Sequence, residues 1–249
     1  MSAAAPPVIH LSETDSTNAE ALRRAFAGER GPLWIVTDRQ TAGRGRSGRR
    51  WASQSGNLLA SLLITLEQGT GVAYQLSLVA GVAVYDAVRP LLAETEARGL
   101  RLKWPNDLLL GRAKLAGILV ESATHPGSPA LSAVIGIGIN LASHPEDLGR
   151  LATHLAAHGV QATPQEMQDK LGSMLAEWLL TWNSGAGFDR VRSAWLARGG
   201  PLGEPLVVNT GGGPVEGRFQ GLAEDGALLI ADAEGGIRRI GYGDVTLAG

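Results

Sequence analysis

The residues best suited to chemistry form a short segment in which arginines alternate with glycines. It is TAGRGRSGRRW, residues 41 to 51, with arginines at Arg44, Arg46, Arg49 and Arg50. Glycine lets a backbone approach a ligand closely, and each guanidinium offers forked donors that match carboxylates and phosphates. Because four like charges repel, we expect the segment to be mobile until a polyanion binds. The alternative is a solvated basic loop or a nucleic-acid contact.

A second polar group is KWPND, residues 103 to 107, which contains an X-Pro turn. The turn brings Lys103 close to Asp107. Pro105 fixes the backbone, so that Asn106 and Asp107 can present oxygens to a divalent metal or to ribose and base groups. The alternative is an ordinary Pro-Asn turn with a capping aspartate.

Lys114 begins the otherwise apolar strand KLAGILVES. A lysine at this position is costly to bury unless an anion meets it, and Gly117 would leave space beside it. An ammonium group held there could draw together a carboxylate and a phosphate, which repel each other before they react. The alternative is a lysine whose ammonium group reaches solvent at the strand end.

The segment DSTN, residues 15 to 18, precedes a predicted helix. Thr17 and Glu20 have capping-box spacing, and we expect Ser16, Thr17 and Asn18 to cap that helix. Their hydroxyl and amide groups could also face a compact polar head group such as a ureido ring, which carries donors and acceptors on different edges.

Two further patterns indicate no site. GIGIN, residues 136 to 140, has neither the third glycine nor the following helix of a dinucleotide-binding motif. His154 and His158 have helical spacing but lack the glutamate of HExxH, so we expect them to be solvated rather than to bind a metal.

Composition excludes several classes of protein. The chain has 249 residues, 22 lysines and arginines against 24 acidic residues, a formal net charge of -2 and no cysteine. Disulfides, a thiolate nucleophile and a sulfur-ligated metal are therefore excluded, and so is a surface that is basic throughout. We see no export signal at the start, and apolar runs such as 58–66 are too short to cross a bilayer. These features predict a cytoplasmic protein.

The elements that position these residues can be predicted from periodicity. We expect a helix from near Ser16 to Gly28 or Gly31, a strand at LWIVTD, a loop over 41–50 and a buried strand at NLLASLLITL. VAYQLSLVAGVAVYDAVRPLL predicts a long buried helix that is broken or kinked at Pro90. LRLKW, DLLL, KLAGILVES and SAVIGIGINL then predict an antiparallel or mixed meander, with a Gly/Pro/Ser turn before its last strand.

The last third of the chain changes character. EMQDKLGSMLAEWLLTWNSG predicts a helix, and a second helix follows it through Trp195. From Gly203 onward only short β segments with glycine-rich turns remain, which predicts a small barrel of four or five strands. The chain is therefore an α+β protein with expected domains at residues 1–202 and 203–249.

Taken in order, DSTN, QTAGRGRSGRRW, KWPND, KLAGILVE and GIGIN resemble the motifs of the biotin protein ligases. The resemblance covers most of residues 16 to 140, and the β-rich tail is similar to the SH3-like C-terminal domain of that family. It implies a class II synthetase-like fold, a mixed or antiparallel sheet flanked by helices. It also implies a two-step reaction, in which biotin and ATP give biotinoyl-5′-AMP and a lysine of an acceptor protein then takes the biotinoyl group.

The resemblance also implies roles for single residues. Those matching the biotin-binding positions of the family are Ser16, Thr17, Asn18, Gln40, Arg44, Gly45, Arg46 and Lys114. Those implied to lie near ATP or the adenylate are Arg44, Arg46, Arg49, Trp51, Asn106, Asp107, Lys114 and Asn140. Of these, Lys114, Arg46 and Arg49 are the expected catalytic residues, and Asp107 is the expected ligand of Mg²⁺.

The implied partner is the biotin carboxyl carrier domain of acetyl-CoA carboxylase or a related enzyme. Because the ligase motifs begin at Ser16, we expect no helix-turn-helix domain and no binding to operator DNA. We expect no membrane partner, and a homodimer is left open. Two alternatives remain: a lipoate or octanoate ligase or transferase of the same fold, and an RNA-binding module that uses the arginine segment with Trp51.

Overall fold

Two β-sheets and a layer of helices make up the computed structural model, which describes residues 5–67, 70–124, 129–145 and 151–247. The first sheet has seven strands in the order β1-β2-β3-β7-β6-β5-β4. These strands are β1 (Val8–Thr14), β2 (Leu33–Gln40), β3 (Leu58–Leu66), β4 (Leu100–Lys103), β5 (Asp107–Leu110), β6 (Ala113–Thr124) and β7 (Leu131–Ile139). Strands β1 and β2 run parallel and the other neighbours run antiparallel, which confirms the predicted mixed sheet.

Helices cover both faces of this sheet. They are α1 (Thr17–Phe26), α2 (Leu76–Val88), α3 (Glu94–Ala97), α4 (Pro164–Trp182) and α5 (Phe188–Arg198). On β2, Leu33 and Ile35 pack with α1, whereas Trp34 and Val36 belong to the larger core on the opposite face. Because both faces are covered, β2 is an almost continuous apolar run, as the sequence indicated.

The predicted helices are present, but α2 begins at Leu76, after a 3₁₀ turn over Thr70–Gln75, and not at residue 72. Helix α2 ends at Val88, and Pro90 lies in the short 3₁₀ turn that follows, so the predicted break is confirmed. Helix α1 begins at Thr17 as expected, but no side chain caps it, and the predicted capping box is wrong. The reason is that the hydroxyl of Thr17 donates to the side chain of Gln40 instead.

Strand β1 was not predicted, although its sequence carries a signal. Ile9 and Leu11 are partly buried and pack against the core under α1, while the alternate residues Val8 and His10 are exposed. This alternation is typical of an edge strand. The predicted Gly/Pro/Ser turn between β6 and β7 includes residues 125–128, which lie outside the described residues.

The second sheet contains the five predicted β segments of the tail. They are β8 (Pro205–Thr210), β9 (Gly213–Leu222), β10 (Leu228–Ala231), β11 (Ile237–Ile240) and β12 (Asp244–Leu247), all antiparallel in the order β11-β10-β9-β8-β12. Within 205–247 no pairing joins β11 to β12, so the five strands form an open antiparallel sheet rather than a closed barrel, which is consistent with the expected SH3-like domain. Three of the four residues of β11 are exposed, which leaves that strand without an apolar face to close against its partner.

The two sheets share one hydrophobic core. Trp195 on α5 meets Phe219 on β9 edge to face, with ring centroids 6.4 Å apart. The indole N–H of Trp104 donates to the carbonyl of Gly226 at 3.1 Å, and Arg101 pairs with Glu204 at 2.6 Å. The core therefore continues across the predicted boundary, and the division into residues 1–202 and 203–249 stays a prediction. None of the helices in the described ranges has the length and hydrophobicity that a bilayer crossing requires.

A shared core predicts that the two sheets unfold together. Trp195→Ala would leave a cavity between α5 and β9 and should lower the free energy of unfolding by about 3–5 kcal/mol. Urea unfolding, followed by circular dichroism and by tryptophan fluorescence, should give one coincident transition. As a control, Leu180→Ala on the exposed face of α4 should change stability by less than about 0.5 kcal/mol. Two separated transitions in the wild-type protein would contradict the shared core.

Candidate active site

A cavity of about 470 Å³ lies between the first sheet, the arginine segment and strand β12. Every predicted site residue except Asn140 lines it: Ser16, Thr17, Asn18, Gln40, Arg44, Gly45, Arg46, Arg49, Trp51, Asn106, Asp107 and Lys114. Ligand contacts for these residues stay predictions, but the chain folds so that segments nearly 100 residues apart surround one space.

The first wall of the cavity is a buried network of uncharged polar side chains, with the carboxylate of Glu121 at its edge outside the lining. The backbone N–H and the hydroxyl of Thr17 both donate to Oε1 of Gln40, at 2.8 and 3.1 Å. The backbone N–H of Gln40 in turn donates to the Ser53 hydroxyl at 2.9 Å. Because α1 follows β1 and Gln40 ends the parallel neighbour β2, the two motifs meet at the same edge of the sheet. Ser16 is buried beside them.

Asn18 lies at the centre of this network. Its Nδ2 donates to the carbonyl of Leu119 at 3.1 Å and to the carboxylate of Glu121 at 2.8 Å. Its Oδ1 accepts from the hydroxyl of Ser61 at 2.6 Å. Gly136 makes this position possible, since a Cβ there would lie 2.2 Å from Oδ1 of Asn18. The sequence analysis missed Ser61, although a serine in the middle of an apolar strand was a signal, and it missed Glu121.

The second wall is cationic and depends on Asp107. This carboxylate is 7% exposed. It accepts a hydrogen bond from Nζ of Lys114, and it forms an ion pair with Nζ of Lys103 at 2.9 Å. Burial alone would raise the pKa of Asp107, but the charges and hydrogen bonds of Lys114 and Lys103 outweigh it and lower the pKa to about 2. The sequence indicated that a buried Lys114 needs an anion beside it, and in the structure that anion is the carboxylate of Asp107.

A β-bulge determines which way Lys114 points. Asp107 pairs with Gly117 and Leu109 pairs with Lys114, and the register shifts by one residue between these pairs. Without the shift Leu109 would face Leu115, and Lys114 would lie on the opposite side of the sheet. The bulge turns Lys114 onto the cavity face beside Asp107.

Trp51 lies on the glycines of this face. A Cβ at Gly117 would be 2.8 Å from the Trp51 ring and 2.9 Å from Nζ of Lys114, and a Cβ at Gly138 would be 2.4 Å from the ring. Nζ of Lys114 lies 5.5 Å from the centroid of the indole, within the range of a cation–π contact. Trp51 thus packs as a wall of the cavity, and Gly117 provides the space that the sequence suggested.

The arginine segment contacts carboxylates of this chain. Arg44 pairs with Glu121 at 3.1 Å, and Arg49 pairs with Asp244 on β12 at 2.7 Å. Arg46 donates to the carbonyl of Gly243 at 3.1 Å. The predicted loop over 41–50 is confirmed, with one short 3₁₀ turn at Arg46–Gly48.

Asn140, Asn106 and the histidines have structural contacts. Asn140 lies behind Trp51, outside the main cavity, and donates to the carbonyl of Thr153 at 3.0 Å. Asn106 lines the cavity but donates to the carbonyl of Ile118 at 2.8 Å.

The expectation that His154 and His158 are solvated is wrong: His158 bonds Glu96 at 2.8 Å, and His154 lies 2.7 Å from His144.

The residues around the cavity do not form a magnesium site by themselves. Across the described ranges no three His, Asp or Glu side chains cluster as metal ligands. Both oxygens of Asp107 already contact ammonium groups, so the expectation that Asp107 is a metal ligand does not fit its surroundings.

Known proteins resemble this chain along most of its length. Residues 11–140 match the biotin/lipoate A/B protein ligase family and residues 202–247 match the biotin protein ligase C terminal domain. The biotin–[acetyl-CoA-carboxylase] ligase of Paracoccus denitrificans is 41% identical over 90% of this chain and 94% of its own. The biotin protein ligase of Aquifex aeolicus in complex with biotin and ATP superimposes with a TM-score of 0.80 at 31% identity, covering 97% of this chain and 98% of that one. The Leishmania major ligase in complex with biotinyl-5-AMP gives 0.60 at 27%, covering 95% and 99%.

Removing the charge of Asp107 should destabilise the fold, because two ammonium groups would lose their shared counterion. We expect Asp107→Asn to lower the free energy of unfolding by about 3 kcal/mol at pH 7. Since the folded pKa of about 2 lies below the ordinary 3.8, this difference should hold above pH 5 and shrink as the pH falls from about 4 toward 2. Urea unfolding measures it. Glu13→Gln, which breaks an exposed pair with Arg39, should cost at most about 1 kcal/mol. Equal effects of the two substitutions would contradict this reading.

Gly136→Ala should displace Asn18. The new Cβ would overlap the Asn18 amide, and we expect a loss of about 1–3 kcal/mol in the free energy of unfolding, together with a loss of ligand binding at this wall. The control is Gly211→Ala, whose Cβ would meet no atom within 4 Å. Unfolding and ligand titration of both variants test the role of Gly136, and unchanged binding by Gly136→Ala would count against it.

Proposed function

The chain belongs to the biotin/lipoate A/B protein ligase family, and we propose on that premise that it is a biotin protein ligase. It activates biotin with ATP to biotinoyl-5′-AMP, releasing pyrophosphate, and then transfers the biotinoyl group to a lysine of a carrier protein, releasing AMP. The observation that carries this proposal is the joining of two walls in one cavity. One wall is buried, polar and uncharged, and the other is cationic.

The uncharged wall suits the ureido ring of biotin. Thr17, Asn18, Gln40 and Ser61 offer hydroxyl and amide groups that can both donate and accept hydrogen bonds. A ureido ring has two N–H donors and one carbonyl acceptor, so it can satisfy such a set. The dithiolane of lipoate has no comparable groups and could make none of these hydrogen bonds with the wall. This argument favours biotin over lipoate or octanoate.

The cationic wall suits adenylation. Attack of the biotin carboxylate on the α-phosphorus of ATP brings two anions together, and charges held in place lower that repulsion without reorganisation. Lys114 is fixed by Asp107 and Trp51 at the cavity face, and Arg44, Arg46 and Arg49 border the same space. We propose that Lys114 binds the biotin carboxylate and the α-phosphate, and that the arginines bind phosphate and cover the adenylate, which excludes water.

The acceptor, the metal and the setting complete the proposal. The acceptor is a biotin carboxyl carrier domain, as the names of the relatives suggest. Mg²⁺ would enter as the ion held by the phosphates of ATP, because the described residues around the cavity do not form a site for it. The proposed setting is the cytoplasm, and a homodimer stays a prediction. The arginine segment faces carboxylates and the cavity, which disfavours an RNA-binding module.

The direct test incubates the protein with biotin, ATP and a biotin carboxyl carrier domain, and then measures biotinylation of the carrier by mass spectrometry. We expect one biotinyl group on one lysine, dependent on ATP. Lipoate and octanoate are the competing substrates. Transfer of lipoate at a comparable rate would favour the alternative, and absence of any transfer would reject the proposal.

Lys114→Ala should remove most of the adenylation step. Loss of a charge that acts at the reacting atoms costs on the order of 100-fold in rate or more, and biotin-dependent ATP–pyrophosphate exchange measures it. Lys170→Ala on the exposed side of α4 is the control and should leave exchange unchanged. Circular dichroism should verify folding of both variants. Exchange within about twofold of wild type in Lys114→Ala would contradict the assignment.

A further inference from the structure

The arginine segment is attached to the second sheet at one carboxylate. Nη2 of Arg49 lies 2.7 Å from Oδ1 of Asp244, and Nη1 of Arg46 lies 3.5 Å from the same oxygen. The hydroxyl of Ser47 donates to Oδ2 at 3.3 Å. Three residues of one short turn thus contact a single side chain almost 200 positions later in the sequence.

Two neighbours of Asp244 strengthen this attachment. Arg46 also donates to the carbonyl of Gly243, and its guanidinium carbon lies 5.1 Å from the centroid of the Tyr242 ring. The side chain of Arg46 is only 16% exposed as a result. Residues 242–244 therefore form a docking segment for the turn.

Asp244 is an anionic side chain in a cavity that is lined mainly by cationic ones. Seven cationic side chains line the described cavity: Arg44, Arg46, Arg49, Arg50, Lys103, Arg112 and Lys114. The acidic side chains in the same lining are Asp107 and Asp244. Asp107 is buried between two lysines, whereas Asp244 is 29% exposed at its side chain. Of these two carboxylates, Asp244 is the one that a ligand can replace.

We propose that Asp244 is a positioning residue, which holds Arg46 and Arg49 at the mouth of the cavity until a phosphate of ATP takes the place of its carboxylate. The proposal rests on the proposed function, because it concerns the same arginines. Four like charges in one glycine-rich segment would otherwise disperse, and ATP would have to order them on binding. A partly exposed ion pair is weak, so a polyphosphate with more charge can displace it.

The substitution that tests this is Asp244→Asn, which keeps the shape and removes the charge. We expect the KM for ATP to rise about fivefold, since the loop must then be ordered by the nucleotide, while the KM for biotin stays within about twofold. Asp244→Glu should restore most of the ATP affinity. Glu216→Gln, an exposed carboxylate change on the same sheet, is the control and should change neither constant.

The outcomes that overturn the proposal are distinct. A lower KM for ATP in Asp244→Asn would mean that the carboxylate only competes with phosphate. An unchanged KM for ATP, or equal changes for ATP and biotin, would mean that it has no positioning role. Failure of Asp244→Glu to rescue would point to a merely structural contact.

A second measurement needs no substrate and separates this proposal from the function itself. Trypsin cleaves after arginine, and the turn at Arg46–Gly48 is flanked by such sites. Without ligand, Asp244→Asn and Tyr242→Leu should both be cut within residues 44–50 several-fold faster than wild type, with the cut sites read by mass spectrometry. Equal cleavage rates would overturn the attachment. If the wild-type protein activates no biotin, the proposed function fails, whereas the cleavage rates still decide whether Asp244 holds the turn.

Discussion

The pairing of one buried carboxylate with two ammonium groups determines how the rest of the cavity is built. Asp107 is the shared counterion of Lys103 and Lys114, and the two ammonium groups in turn keep this buried carboxylate ionised. The carboxylate is also the anchor of a turn, since the KWPND segment connects β4 to β5 and places Lys103 opposite Asp107 in the register. The energy of burying charge is thus offset within three consecutive strands, β4, β5 and β6. As a result, Lys114 can point into the cavity with its position fixed before any substrate binds.

Glycine on the cavity face provides the volume that these charges need. Gly117 and Gly138 pair across β6 and β7, and Trp51 lies on both of them. Gly136, two residues along β7, receives the amide of Asn18. A side chain at any of these positions would fill the floor of the cavity. The glycines of the GIGIN motif therefore leave space on the sheet for Asn18 and Trp51.

The sequence allowed the local elements to be predicted well, because β2, β3 and α2 carry strong hydrophobic patterns. It also identified the motifs that meet in the cavity. The sequence could not predict which side chains contact each other across the cavity. The contact of Asn18 with Glu121 and that of Arg49 with Asp244 depend on how distant strands are arranged, and no short pattern encodes this. The bulge before Lys114 shows the limit best: strict alternation along KLAGILVES would place Lys114 and Gly117 on opposite faces, whereas the structure brings them together. The open edge of the second sheet has a similar cause: β11 is short and mostly exposed, and its sequence does not tell whether it pairs with β12.

The two acidic residues of the cavity illustrate how burial separates a permanent counterion from an exchangeable one. Asp107 is inaccessible and has a lowered pKa, so it stays ionised and attached to its lysines across the neutral range. Asp244 lies at the junction of the two sheets, where solvent and ligand can reach it. A cavity with a large excess of cationic groups needs both kinds. The first keeps the ammonium group of Lys114 in place, and the second is proposed to hold the arginines only while no phosphate is present. This division requires the second sheet to border the cavity, which gives the shared core between the sheets a direct consequence for the chemistry.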